Sequence, residues 1–241
     1  MQTISLDKGK MVVVEGAHIF LPSESDYKDK ILIYLSRNLG KKITINAICE
    51  GLKLSYGYLH STIHKFEAEK IINIEEVGNY KLISLNFKNM LTIAELARVS
   101  VKVSQEIISK NKKLRKINIL IENLRKYKGI LSIVLFGSQA RLEARKKSDI
   151  DMLIILSERE KSKDEMHSLE NIELIDKIRA EIKSFEIKEF VDIQEFIVDF
   201  EMFKRMLQSK EELNVGKEAL KEGIMLDGFE NYWKMVGEII G

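Results

Sequence analysis

Apolar and polar positions along this chain recur with two periods, and each change of period marks an element. Met11 to Phe20 reads as a short strand pair turning near Gly16. Pro22 and the residues Ser23 to Asp26 then supply a stop and helix N-cap signals. From Tyr27 to Asn38 the apolar positions Ile31, Leu32, Tyr34 and Leu35 recur at helical spacing, and Gly40 ends the run. Thr44 or Asn46 caps a second helix through Ala47 and Ile48 to Leu52, and Ser55 caps a third from Tyr56 to about Lys70. Ile71 to Leu85 alternates as a hairpin with Gly78-Asn79 at its turn. Residues 91 to 128 are helical, with Leu96, Val99, Val103 and Ile107, then Leu114, Ile117, Ile121 and Leu124, as an apolar stripe. The polar interruption from Lys110 to Lys116 leaves two readings: two helices, or one with an exposed middle.

From Gly129 onward the pattern predicts strand, Gly-Ser turn, short helix, strand, helix, strand and terminal helices. The apolar run Ile130 to Phe136 ends at Gly137-Ser138, and a second run, Ile150 to Leu156, begins at a pair of acids, Asp149 and Asp151. Side chains two apart on a strand point the same way, so the two carboxylates face one spot. That spot is close to a glycine-serine turn whose backbone amides suit a phosphate. Together these features outline a metal-dependent nucleotidyl-transfer site. A helix from about Lys163 to Ser184 carries Leu169, Ile172, Ile175, Ile178 and Ile182 inward. A third strand from about Lys188 to Ile197 has Asp192 in its middle. A lone acid there normally faces solvent; beside a metal site it is a candidate third carboxylate.

Composition narrows the setting. The 241 residues are 45% apolar and 32% charged, as in an ordinary soluble globular protein, and allow one large domain or two small ones. The net charge of +2 is too near zero to argue for nucleic acid. Basic residues nevertheless cluster: Arg98 to Lys128 holds ten Lys or Arg against two Glu, either a solvated face or a nucleic-acid- or nucleotide-facing surface. Cys49 is the sole cysteine, so no intramolecular disulfide forms, and its apolar neighbours suggest a small buried residue. The N-terminus carries no signal-peptide pattern, and no run of about 18 apolar residues suggests a membrane span. A cytoplasmic location is expected. One proline and thirteen glycines leave little room for flexible linkers, so two domains would be joined by helix. His60 and His64, four apart, share a helix face, but a metal pair needs further ligands, and surface or groove-facing histidines are the simpler reading.

Three short helices followed by a hairpin, about residues 25 to 88, resemble a winged helix-turn-helix domain. In that family the third helix enters the major groove and the hairpin touches the backbone. The matching positions are Ser55, Tyr56, Tyr58, His60, Ser61, His64 and Lys65, with Asn79 and Lys81 on the wing. Glu67, Glu69, Glu75 and Glu76 lie nearby, and strong phosphate binding wants more Lys and Arg. DNA contact and a protein-contact or dimerisation wing both stay open.

Gly137-Ser138-Gln139-Ala140-Arg141, the spacer, and Ser148-Asp149-Ile150-Asp151-Met152-Leu153-Ile154 resemble the minimal nucleotidyltransferases of the DNA polymerase β superfamily. Their pattern is G-S-x-A-R-G followed by S-D-[IV]-D-[LM]-[LI], and the resemblance covers about residues 115 to 240. It implies two Mg2+ ions held by Asp149 and Asp151, with Asp192 completing the site and favouring deprotonation of the attacking hydroxyl. Gly137 and Ser138 would take the β/γ phosphates. Arg141 would neutralise triphosphate charge or pair with a nearby acid. The sequence departs from the pattern after the arginine, where Leu142 replaces a frequent second glycine; Lys146 and Lys147 would then add positive charge. Glu218 to Leu226 also looks like the helix-then-Gly-Ile ending common in that family.

The expected fold class is therefore α/β (α+β). Residues 1 to 90 form a winged helix domain with short N-terminal strands, 91 to 128 a basic connecting helix or helices, and 129 to 241 a polymerase β-like nucleotidyltransferase domain with a small mixed sheet. The expected activity transfers a nucleoside monophosphate, AMP from ATP in the leading reading, to a hydroxyl on a protein, RNA or small molecule. A toxin–antitoxin role with a separately encoded small helical protein is part of that reading. The other reading is a DNA-binding regulator whose transferase-like domain senses nucleotide without turnover. A homodimer is expected from the long helix and the winged domain, and no membrane partner.

Overall fold

The computed structural model describes residues 3–5, 10–14, 17–22, 26–41, 43–145, 148–157, 166–210 and 213–241. Side chains are described from residue 19 onward, and in 166–171 only the backbone is. The chain divides into two compact units, Met1–Val103 with Tyr232–Gly241, and Ser104–Asn231. The division falls inside two helices, one spanning Met90–Lys110 and one spanning Phe229–Ile240. No helix among the described residues is long and apolar enough to cross a membrane.

The first unit opens with an antiparallel sheet of β1 (Thr3–Ser5), β2 (Lys10–Val14) and β3 (Ala17–Leu21). Val14 pairs with Ala17, so β2 and β3 form the expected strand pair, although Gly16 and Ser23 to Ser25 lie outside the described residues. Helix α1 (Tyr27–Ser36) starts where the Asp26 carboxylate accepts a hydrogen bond from the Asp29 amide at 2.9 Å. Strand β4 (Ile43–Thr44) leads into α2 (Ile45–Leu52), whose first turn is capped by the Thr44 hydroxyl accepting from the Ala47 amide at 3.1 Å. Helix α3 (Tyr56–Ala68) follows, then the hairpin of β5 (Ile72–Val77) and β6 (Tyr80–Leu85). Val77 pairs with Tyr80, which leaves Gly78-Asn79 as a two-residue turn, with Gly78 at the positive φ of 59° that such a turn requires. Strand β4 joins β6 to give the order β4-β6-β5. Helices α1 to α3 and this three-stranded sheet have the element order of a winged helix. Ile31, Leu32, Leu35, Ile48, Leu59, Ile63, Phe66 and Ile83 are its buried core.

Helix α4 (Met90–Lys110) buries Leu96, Val99, Val103 and Ile107, the stripe its sequence shows. It is held to α1 by a contact the sequence did not announce. Asp29 is wholly buried, and its carboxylate accepts from Arg98 at 2.5 Å and from Lys102 at 2.7 Å. A buried carboxylate is tolerated only when paired. Burial alone would raise its pKa; the hydrogen bonds and charges of Arg98 and Lys102 outweigh that and hold it below its ordinary value.

In the second unit, Asn111 settles the reading of the polar interruption: there are two helices. Its side chain caps α5 (Lys112–Leu124), accepting from the Lys113 amide at 2.9 Å. Strands β7 (Ile130–Phe136), β8 (Ile150–Leu156), β9 (Ile193–Asp199) and β10 (Ile224–Asp227) form a mixed sheet in the order β10-β7-β8-β9. Strands β7 and β8 run antiparallel, β8 and β9 parallel. The four-residue helix α6 (Gly137–Ala140) follows β7 directly, and α7 (Met166–Glu189), α8 (Phe200–Gln208) and α9 (Val215–Glu222) complete the unit. The final helix, α10, is the Phe229–Ile240 segment.

The inward face of α7 differs from the sequence expectation. Its buried residues are Leu174, Ile178, Ile182 and Phe185, whereas Ile172 is 55% exposed. The helical period holds but its phase is set by Leu174; Leu169 lies among residues whose side chains are not described. Strand β9 also starts later than expected, because α7 continues to Glu189 and stops where Phe190 takes a positive φ of 54°.

The Asp29 triad generates a test. Replacing Asp29 by Ala leaves two cations without their buried partner and should cost about 3 kcal/mol in denaturant unfolding at neutral pH. Because the folded pKa is depressed, this stabilisation is present above the ordinary carboxylate pKa of about 3.9 and is lost as pH falls below it. An Asp29→Asn variant should lack that acid-dependent loss.

Candidate functional site

Asp151 is the polar exception in β8, whose other residues are apolar and buried. Across the antiparallel pair it faces Phe136, the last residue of β7. The chain then turns at Gly137, with a positive φ of 68°. A Cβ at that position would lie 2.2 Å from Asp151 Oδ2. The carboxylate therefore fills the space a side chain at 137 would need. Glycine is required here for two reasons, backbone conformation and room.

Asp149 stands one residue ahead of β8, in a loop fixed from three sides. Gln139, buried in α6, donates from Nε2 to the carbonyls of Ser148 at 3.3 Å and Asp149 at 3.4 Å. The Lys113 ammonium donates to the Ser148 carbonyl, and the Ser148 hydroxyl accepts from the Arg145 amide at 2.8 Å. Gln139 Oε1 in turn accepts from Asn111 Nδ2 at 3.0 Å. The residue that caps α5 thus also steadies the turn that places both aspartates. Ser138 is half-buried in α6, and its carbonyl accepts from the Glu143 amide at 2.9 Å.

The electrostatics centre on Asp151. Burial raises its pKa above the ordinary value, the charges of Glu218 and Asp149 raise it further, and Arg141 opposes them. Asp149 and Glu218 are thus each close enough to repel Asp151. Arg141 pairs with three acids: Glu143 at 3.1 Å, Glu218 at 2.8 Å and Glu222 at 3.1 Å. Burial lowers its pKa, but hydrogen bonds to Glu218, Glu143 and Glu222 raise it more, so it stays charged. Of the two roles open to Arg141 in the sequence, the structure displays the pairing with acids.

Glu218, Glu222 and Gln139 were not assigned from sequence. A signal for the first two existed: acids four apart on a partly apolar helix share a face, and a nearly buried glutamate needs a cation.

Asp192 is not in the middle of a strand. It precedes β9 by one residue, its side chain is exposed, and its carbonyl accepts from the Ile150 amide at 2.9 Å. Ile150 pairs with Ile193, so Asp192 sits one register step back, beside Asp149. Among the described residues no group of three or more His, Cys, Asp or Glu is arranged to hold a metal ion. The three aspartates are thus neighbours at the strand entrances, without forming a closed ligand set. Lys146 and Lys147 lie outside the described residues. Leu142 takes a positive φ of 59°, which explains why glycine is frequent there: the turn after the arginine needs a left-handed residue.

In the first unit, α3 carries the positions matched to DNA contact. Ser55, His64 and Lys65 are exposed, Tyr56 is 55% and Tyr58 49% exposed, and His60 is half-exposed. The structure brings Tyr56, His60 and His64 together, with Tyr56 stacked on His60 at 5.7 Å. Tyr58 packs instead on Tyr27 at 4.4 Å. On the wing, Tyr80 is exposed and Lys81 pairs with Glu76 at 3.6 Å. Half of the ten basic residues from Arg98 to Lys128 meet acids: beyond the Asp29 pairs, Lys110 meets Glu106, Lys116 meets Glu189 and Arg125 meets Asp227.

Residues 118–214 match the family model described as Polymerase beta, Nucleotidyltransferase. Over that stretch the chain is similar to this family. The match begins within α5 and ends at the α9 N-cap, so the α9 acids, Glu218 and Glu222, lie beyond it. No curated protein matches the sequence. Among solved structures, MepR, a transcription regulator of a Staphylococcus aureus multidrug efflux pump, is similar at 19% identity and a TM-score of 0.30, over 43% of this chain and 77% of that one. Lactococcus lactis ZitR is similar at 22% identity and a TM-score of 0.27, over 43% and 78%. A candidate nucleotidyltransferase from Sulfolobus solfataricus is similar at 12% identity and a TM-score of 0.27, over 52% and 84%.

Two stability measurements test the geometry around Asp151 and the turn that follows Arg141. An acid with a raised folded pKa destabilises the fold once ionised, so Asp151→Asn should stabilise the metal-free protein at neutral pH, and the gain should vanish as pH falls and the parent's Asp151 protonates. At the turn, Leu142→Gly should stay within about 1 kcal/mol of the parent, as relief of left-handed strain offsets added chain entropy. Leu142→Val, β-branched at the same φ, should lose about 1–2 kcal/mol; equal stability of the two variants would refute the strain.

Proposed function

We propose that this protein is a metal-dependent nucleotidyltransferase that moves a nucleoside monophosphate from a nucleoside triphosphate to an acceptor hydroxyl. One observation carries the reading: in a domain of matching family, the Asp151 carboxylate is lodged against the Gly137 backbone and charge-coupled to Asp149 and Glu218. A buried carboxylate repelled by two other acids is an environment that a divalent cation relieves. Such an ion, Mg2+ by preference, would be held by Asp149 and Asp151 and take its remaining oxygens from water and phosphate, which suits a site without a closed protein ligand set. Bound there, metal supplies charge neutralisation to the attacking and leaving oxygens.

The chain's own residues do the rest. The acceptor oxygen bonds to the α-phosphorus, and the bond to the bridging oxygen breaks, so that pyrophosphate leaves with the electron pair. Gly137, bare of a side chain, lets the β/γ phosphates approach the backbone beside Asp151, with the Ser138 hydroxyl as a donor. The hydroxyl proton passes to an exposed carboxylate at the same strand entrance, for which Asp192, beside Asp149, is the candidate. Arg141 acts through Glu218 and Glu222, fixing α9 against the turn and moderating the negative field at Asp151. ATP is the leading donor, giving AMP transfer. The acceptor is a hydroxyl on protein, RNA or a small molecule, and a separately encoded small helical protein in a toxin–antitoxin pair fits the first of these.

A second activity is favoured by the exposed Tyr56 and Tyr58 on α3 and Tyr80 on the wing. We infer that the winged helix offers this face, with Ser55, His60, His64 and Lys65, to DNA, the chain acting as a homodimer. Acidic neighbours on the same unit predict weak, salt-sensitive binding.

Incubation with α-labelled ATP, Mg2+ and total cellular protein or RNA tests the main reading. Label transfer is expected from the parent and should fall to background in Asp149→Ala and Asp151→Ala. Nucleotide binding without transfer to any acceptor, alongside salt-sensitive DNA binding, would instead establish a regulator that senses nucleotide.

A further inference from the structure

The face of α3 holds a pair of imidazoles that the transferase chemistry does not use. His60 and His64 are one helical turn apart, and their Nε2 atoms converge to 3.1 Å. The rings are edge-to-face, with centroids 4.3 Å apart and planes at 73°. On its far side, His64 Nδ1 lies 3.3 Å from Glu67 Oε2. In the tautomer where Nδ1–H donates to that carboxylate, the Nε2 of His64 carries the lone pair and lies beside the Nε2 of His60. Two nitrogens so close share either a proton or a cation.

The geometry suits the cation. With metal–nitrogen bonds of about 2.0–2.1 Å, a separation of 3.1 Å gives a nitrogen–metal–nitrogen angle of about 100°, between the octahedral and tetrahedral values. Glu67, His64 and the ion would form the carboxylate–histidine–metal arrangement that orients a ligating imidazole. Imidazole favours Zn2+, Cu2+ and Ni2+ over Mg2+. Tyr56, stacked on His60, restrains the second ring. The arrangement differs from the sequence expectation in one respect: the missing further ligands do not preclude binding, since water can fill the outward positions of an exposed two-nitrogen chelate.

We propose that His60 and His64 form a chelating site for a divalent cation of the Zn2+, Ni2+ or Cu2+ class on the exposed face of α3. The site belongs to the first unit and is independent of the carboxylates around Asp151.

Calorimetric titration of the full chain with Zn2+, with Mg2+ in excess to saturate carboxylate sites, tests this. The parent should bind one Zn2+ that His60→Ala and His64→Ala each lose, while Glu67→Gln binds about tenfold more weakly. Zn2+ should raise the melting temperature of the parent and of neither histidine variant. His60→Gln and His64→Gln provide a second pair, and circular dichroism confirms that each variant is folded. No Zn2+ uptake by the parent, or parental affinity in any folded histidine variant, overturns the proposal.

Discussion

The contact between the Asp151 carboxylate and the bare backbone of Gly137 is the constraint on which the second unit is organised. It requires glycine at the end of β7, places a charge at the edge of an otherwise apolar sheet, and brings two further acids within range. A fold selected for stability alone would put an apolar side chain at 151 and relax the turn. The supporting residues are arranged around this costly feature: Gln139, Asn111 and Lys113 hold the loop that presents Asp149, and Arg141 offsets the negative field through Glu218 and Glu222. Local strain and repulsion retained by a well-connected shell are what functional sites look like in physical terms.

Much of this was legible in the sequence because it is local. The apolar run into Gly137-Ser138, the paired aspartates heading the next run and the Gly78-Asn79 turn are short-range patterns, and each lies where its periodicity predicts. Leu142 was visible as a departure, but its meaning needed the backbone: its left-handed φ shows that the turn demands what glycine gives freely. Long-range partners were not legible. Nothing near Asp29 in the chain announces Arg98 and Lys102, and nothing near Arg141 announces α9. The face of α7 and the start of β9 were misplaced because each boundary depends on packing: Leu174 rather than Ile172 meets the core, and α7 continues to Glu189 before β9 begins.

Charge shows the same division between composition and structure. The stretch from Arg98 to Lys128 is strongly basic as sequence, yet four of its ten cations pair with acids from distant parts of the chain. A basic count is therefore a poor guide to a nucleic-acid surface when the counter-charges are remote in sequence. The histidine pair illustrates the converse. Spacing alone left it ordinary, and the convergence of two ring nitrogens backed by a carboxylate makes it chemically specific.

In the proposed function the acids around Asp151 hold a divalent cation together with a nucleotide. The most direct measurement is Mn2+ binding, followed by loss of the free-ion electron paramagnetic resonance signal, with and without a non-hydrolysable nucleoside triphosphate. The account predicts Mn2+ binding that strengthens with nucleotide and is lost in both Asp149→Asn and Asp151→Asn. Binding that is unchanged in these variants, or indifferent to nucleotide, would contradict it.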